Sequence, residues 1–183
     1  IEKVTDISED YILFIPNFVV LRSSESHFDL GQKQIFLDRN FVKKFGFEEL
    51  QEHTKKKILV KLKPRLQENM TEARNYIKGI FKGIDIEILD NLEYDDVDLI
   101  KRAHSVVSYG TQMCLKGVVM GKPTVIIAGL GNLGIFDDYY NVVKNFDDDY
   151  KPYKMLLKKI EKDKVDLFLE SIENSKNFKA TES

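Results

Sequence analysis

The stretch Ala103–Ile127, AHSVVSYGTQMCLKGVVMGKPTVII, decides the fold because it holds two apolar runs with a helical segment between them. The runs Ser105–Ser108 and Thr124–Ala128 are short and apolar, which is typical of buried strands. Between them, Thr111–Met120 has the composition of a helix that ends at Gly121. A strand, a helix and a second strand in this order predict one unit of a parallel sheet.

The same alternation continues on both sides of this stretch. Further strands are predicted at Tyr11–Ile15, Ile58–Leu62 and Ile84–Leu89. Helices are predicted at Gln32–Phe45, Phe47–His53, Thr71–Lys82, Tyr94–Ala103, Lys154–Ile160 and Val165–Ile172. Strand and helix thus alternate about five times. We therefore expect the α/β class, with a Rossmann-like parallel sheet of about five to six strands and helices on both faces.

Composition narrows the class of protein. The chain has 183 residues, and its 28 basic and 30 acidic side chains give a net charge of -2. This balance argues against a general nucleic-acid binder, and the longest apolar runs are too short to span a bilayer. We expect a single domain over 1–183 with a frayed tail at 174–183. Because the chain begins with Ile1, we also expect a processed product or a piece of a longer protein.

Two loops after strands carry candidate phosphate-binding residues. Ligands of open parallel sheets bind at the carboxyl ends of the strands, where the strand order reverses. Tyr109–Gln112 precedes a helix, whose free backbone amides favour an anion, with added donors from Thr111 and Gln112. Thr111 could instead cap the helix. Lys61, Lys63 and Arg65 could bind phosphate, or could belong to a solvated strand end after the basic run 55–57.

These two segments resemble the C-terminal, nucleotide-sugar-binding half of GT-B glycosyltransferases, especially the bacterial capsule and lipooligosaccharide sialyltransferase and Kdo-transferase types. Val106–Pro123 matches the family outline of strand, phosphate-contacting turn, helix, Gly-Lys-Pro and strand, with the turn at Gly110–Gln112. Lys61, Pro64 and Arg65 match a Lys-x-His-Pro-Arg segment after the second strand.

The chain departs from the family pattern at three places. Lys63 stands where the family has a histidine that contacts the nucleotide, and Lys116 stands where many members have a glutamate that contacts the donor ribose. Thr111-Gln112 replaces a pair of hydroxyl residues. A lysine can neutralise a phosphate as a point charge, but its usual pKa of about 10.4 makes it a poor acid or base at neutral pH.

The resemblance implies a part of an enzyme of polysaccharide biosynthesis. It implies a nucleotide-sugar donor, with a CMP-sugar as one candidate, a cell-surface glycan as acceptor and no further cofactor. An N-terminal GT-B domain would supply the general base, so this chain alone is expected to bind nucleotide without turnover. The implied location is cytoplasmic, which would allow peripheral attachment to the inner membrane face. The nucleotide-binding residues would be Lys63, Pro64, Arg65, Tyr109, Gly110, Thr111, Gln112 and Lys116.

Gly129–Gly134 reads G-x-G-x-x-G directly after a predicted strand. Its residues Gly129, Gly131, Asn132 and Gly134 would line the donor and acceptor cleft of a transferase. The same pattern would suit an NAD(P)-dependent oxidoreductase, but no second strand with a terminal acid fits at the required distance. A non-catalytic Rossmann-like binding module is the remaining alternative.

We expect no metal site. His27, His53 and His104 are not spaced with other ligands, and Cys114 has no cysteine to pair with. The consecutive acids 147–149 point in different directions and favour a solvated turn.

Overall fold

The computed structural model describes residues 10–16, 37–62, 70–89, 94–109, 112–127, 142–143 and 151–157, together with 163, 166, 167 and 170. The strands in this part of the chain are β1 (Ile12–Ile15), β2 (Ile58–Lys61), β3 (Ile86–Leu89), β4 (Ser105–Tyr109), β5 (Thr124–Ile127) and β6 (Val142–Val143). The helices are α1 (Arg39–Phe45), α2 (Phe47–Thr54), α3 (Met70–Ile80), α4 (Asp96–Arg102) and α5 (Gln112–Val119), with a 3₁₀ helix at Pro152–Leu157.

All six described strands form one parallel sheet in the order β3-β2-β1-β4-β5-β6. In chain order, β2 and β3 lie on one side of β1, and β4, β5 and β6 lie on its other side. The register between β1 and β4 pairs Leu13 with Val106 and Ile15 with Ser108. The strand order reverses at this pair, so the predicted Rossmann-like α/β class is confirmed.

Side-chain alternation along the strands divides the core between two faces of the sheet. Ile12 and Phe14 of β1 lie in a cluster with buried residues of α1, α2, α3 and the 3₁₀ helix. Leu13 and Ile15 lie in a second cluster, with buried residues of α4 and α5. Helices thus cover both faces, and both sides of β1 are fully buried.

Phenylalanine rings fill the first face. Phe14 lies between α2 and the end of α3, with its ring centroid 5.1 Å from that of Phe47 and 5.9 Å from that of Phe81. Phe45 and Phe47 stack at 4.4 Å across the junction of α1 and α2. Gly46 makes this junction possible because its φ of 87° lies in the left-handed region. Helix α1 ends at Phe45, as predicted, but it begins at Arg39, with Asp38 as its N-cap.

The C-terminal part differs from the prediction. Residues 152–157 form a 3₁₀ helix that packs on the first face, where an α-helix over 154–160 was expected. The two-residue strand β6 was not predicted, because a strand of this length has no detectable periodicity. Asp166, Leu167 and Glu170 are helical, as expected for Val165–Ile172, whereas the tail 174–183 lies outside the described residues. No described helix has the length and apolar character needed to cross a bilayer.

Candidate functional site

The strand order reverses between β1 and β4, whose carboxyl ends lie side by side. Open parallel sheets bind their ligands at such a point because the flanking loops diverge to opposite faces. Tyr109 ends β4 and Gln112 begins α5, so both residues lie at this edge of the sheet. The first backbone amides of the eight-residue helix α5 therefore lie at the same edge.

Helix α5 is held against the sheet by close packing. An added Cβ on Gly117 would lie 2.8 Å from Thr124 Oγ1 on β5 and 3.3 Å from Val106 Cγ2 on β4. Cys114 and Val118, on the same side of α5, are fully buried. Cys114 is thus a small packing residue on this side of α5. This close approach fixes the position of the α5 N-terminus relative to the strand ends.

Lys61, Asp96 and Lys116 form a charged group at the same edge, which we call the edge cluster. Lys61 Nζ donates a hydrogen bond to Asp96 Oδ1. Lys116 Nζ lies 3.8 Å from the other carboxylate oxygen, Oδ2. The Lys61 side chain is 14% exposed, whereas those of Asp96 and Lys116 are 36% and 42% exposed. The edge cluster carries a formal charge of +1 from its two ammonium groups and one carboxylate.

Three elements bring the edge cluster together. Lys61 is the last residue of β2, where alternation puts it on the same face as Leu59, under α4 and α5. Asp96 is the first residue of α4, which Asp95 caps by accepting a 3.0 Å hydrogen bond from the Val97 amide. Lys116 lies one turn after the start of α5. The sequence predicted a helix in this region, but Asp96 was missed as a partner of two lysines.

The structure describes part of the predicted binding set. Lys116 belongs to the edge cluster, Tyr109 ends β4 and Gln112 starts α5. The other predicted residues lie outside the described ranges: Lys63, Pro64, Arg65, Gly110, Thr111, Gly129, Gly131, Asn132 and Gly134. Their roles therefore stay predictions, although Lys63 directly follows the described residue Leu62.

His104 and Ser105 lie at the opposite, amino edge of the sheet. Burial lowers the pKa of His104, and the nearby Lys56 lowers it further. Among the described residues, no hydrogen-bond partner contacts His104 Nδ1 or Ser105 Oγ. The ring of His53 stacks on that of Tyr153, with the ring centroids 6.0 Å apart. Across the described ranges no three His, Cys, Asp or Glu side chains are grouped so as to hold a metal ion.

Comparison with solved structures shows the same fold in a sugar-nucleotide enzyme. UDP-GlcNAc 2-epimerase from Methanocaldococcus jannaschii aligns over 85% of this chain with a TM-score of 0.53 and 16% identity. A crystal structure of the M. jannaschii enzyme in complex with UDP-GlcNAc and UDP aligns over 82%, with a TM-score of 0.54 and 18% identity. The chain spans 40% of the length of each of these neighbours. No protein-family profile and no curated protein matches the sequence. At such identities the likeness shows a shared fold.

Proposed function

We propose that this chain is a nucleotide-sugar-binding domain of a two-domain enzyme with a GT-B-like architecture. The observation that carries the proposal is the strand reversal between β1 and β4, with the start of α5 and a net positive edge cluster at the same carboxyl edge. A phosphate group is the ligand chemistry that suits a helix N-terminus beside lysine ammonium groups. The structural neighbour in complex with UDP-GlcNAc and UDP supports a sugar nucleotide as the class of ligand.

The proposed chemistry on this domain is charge neutralisation. Backbone amides at Gly110–Gln112 would hold the phosphates, and Lys63, Arg65 and Lys116 would add positive charge. Stabilising the negative charge that develops on a departing nucleotide lowers the barrier to breaking the sugar–phosphate bond. The acid or base that acts on the sugar or acceptor would come from a second domain, because this chain spans 40% of its neighbours' length.

Two reactions require stabilisation of a departing nucleotide. Glycosyl transfer to a cell-surface glycan, the reaction implied by the sequence resemblance, uses the nucleotide as leaving group. The second candidate is epimerisation of a nucleotide sugar, in which the sugar–phosphate bond would break and then re-form to the same nucleotide; the likeness to UDP-GlcNAc 2-epimerase favours it. The alternative of an NAD(P) enzyme is less well supported. Its fingerprint glycines normally follow the first strand, whereas Gly129–Gly134 follows β5, one strand away from the reversal.

Isothermal titration of the chain with UDP, UDP-GlcNAc, CMP and NAD⁺ tests this proposal. We expect saturable binding of one of the pyrimidine nucleotides and none of NAD⁺. Ligand at 100 times its dissociation constant should stabilise the fold by about 2.7 kcal/mol, which a thermal shift detects. Binding of NAD⁺ alone would favour the oxidoreductase, and no response to any ligand would favour the non-catalytic module.

A double variant tests the location of the site. Thr111→Val with Lys63→Ala removes a hydroxyl and an ammonium group from the proposed phosphate site, and we expect at least a tenfold loss of nucleotide affinity. Thr54→Val with Lys82→Ala is the matched control, because Thr54 ends α2 and Lys82 follows α3, so both precede a strand and lie at the amino edge of the sheet. Equal affinity of the two double variants would show that the proposed residues do not bind the nucleotide.

A further inference from the structure

The carboxylate of Asp96 is shared between two ammonium groups from different elements. Lys61 on β2 donates to one of its oxygens, and Lys116 on α5 lies 3.8 Å from the other. We propose that Asp96 is an internal counter-anion that competes with the phosphate oxygens of an incoming ligand for these two lysines. This inference rests on the proposed function, and it assigns to Asp96 the role of setting how tightly the site holds an anion.

Of the two lysines in the edge cluster, Lys61 is the one that most needs a counter-ion. Its side chain is 14% exposed, the lowest value for a lysine in the ion pairs of the described residues. An ammonium group removed from water is costly unless it is paired and hydrogen-bonded. Asp96 supplies the partner when no ligand is present. Phosphate oxygens could take its place, since both groups are anionic acceptors.

Lys116 is the lysine that is free to change partner. Its distance of 3.8 Å to Asp96 Oδ2 exceeds that of a hydrogen bond, and its side chain is 42% exposed. Because Lys116 lies one turn from the start of α5, a small change of side-chain rotamer can redirect its ammonium group toward an anion bound at the start of that helix. Asp96 attracts the same ammonium group and so competes with that anion.

Removing the Asp96 charge should therefore strengthen anion binding. Asp96→Asn keeps the size of the side chain and raises the formal charge of the edge cluster from +1 to +2. Inorganic pyrophosphate is a suitable probe because it presents phosphate oxygens without a base or sugar. An added unit of positive charge near the anion should tighten pyrophosphate binding by about five- to tenfold at low salt, and less at high salt because ions screen the interaction.

Asp98→Asn is the matched control. Asp98 lies on the same helix and pairs with Lys101 at 3.9 Å. Both side chains are about 60% exposed, and both residues belong to α4. Asp98→Asn changes the net charge of the protein by the same amount as Asp96→Asn, so a general effect of protein charge would appear equally in both variants. Tighter binding in Asp96→Asn than in Asp98→Asn supports the competition. Equal pyrophosphate affinities would overturn it and leave Asp96 with a purely structural role.

A second pair of variants keeps the test decisive if Asp96→Asn fails to fold. Lys116→Met should weaken pyrophosphate binding at least threefold relative to Lys101→Met, and equal affinities would overturn the inference. The outcomes also separate the two proposals. Nucleotide binding with no effect of Asp96→Asn refutes the competition but not the domain function. Pyrophosphate binding that follows Asp96 and Lys116 without any nucleotide binding refutes the domain function alone.

Discussion

The close contact of Gly117 with the sheet gives a sharp prediction for Gly117→Ala. The new Cβ would lie 2.8 Å from Thr124 Oγ1 and 3.3 Å from Val106 Cγ2. Both neighbours are fully buried, and the Thr124 hydroxyl donates a 2.8 Å hydrogen bond to the Lys122 carbonyl, so neither can move freely. Overpacking of this kind costs about 1–3 kcal/mol, against about 1 kcal/mol gained by replacing glycine with alanine in a helix.

We therefore expect Gly117→Ala to lower the free energy of unfolding by about 1 kcal/mol. Gly79→Ala is the matched control, because Gly79 lies in α3, is exposed, and has no atom within 4 Å of its added Cβ. That variant should gain up to about 1 kcal/mol. Together the two effects predict a difference of about 2 kcal/mol, or about 4–8 °C in Tm for a chain of this size.

Urea unfolding followed by far-ultraviolet circular dichroism measures this difference, since the chain has no tryptophan for fluorescence. A displaced α5 should also weaken nucleotide binding in Gly117→Ala. If Gly117→Ala is as stable as Gly79→Ala, the packing argument for the position of α5 is wrong.

Three further predictions concern stability. Tyr11→Phe should cost about 1 kcal/mol in urea unfolding, because it removes the buried 2.7 Å hydrogen bond to the Leu99 carbonyl; no loss would contradict this. Asp38→Ala should also cost about 1 kcal/mol, because its carboxylate caps α1 by accepting from the Phe41 amide at 2.7 Å; an unchanged midpoint would refute the cap. Burial lowers the pKa of His104 in the folded state below its usual 6.5. Stability should therefore fall as the pH drops from about 6.5 through the folded pKa, and His104→Gln should flatten this dependence.

The alternation of strands and helices was predictable from sequence because most elements have strong local signals. The predicted strand at 58–62 ends one residue earlier, at Lys61. Helix α1 ends at Phe45, as predicted. The two-residue β6 lacked such a signal, since it is defined by pairing with β5. The 3₁₀ helix at 152–157 has apolar spacing similar to that of an α-helix, so periodicity alone could not distinguish the two.

The sequence predicts where a ligand would bind in such a sheet, and that location stays a prediction, but it does not reveal the ion pairs of the edge cluster. The loop after β4 was one of the candidate loops at strand ends, but the sequence did not show that the strand order reverses between β1 and β4. Lys116 was recognised through the resemblance to a family. Asp96 was not, because it is 35 residues from Lys61 and 20 from Lys116 along the chain, and local patterns cannot detect such contacts.

The central claim is that a nucleotide sugar binds at the carboxyl edge between β1 and β4. A ¹⁵N-labelled sample titrated with UDP and UDP-GlcNAc tests it most directly, because amide resonances report the place of binding. The account predicts saturable shifts of Tyr109, Gln112 and Lys116, with little change at His104 on the amino edge. Shifts concentrated around His104, or binding that leaves the start of α5 unperturbed, would contradict it.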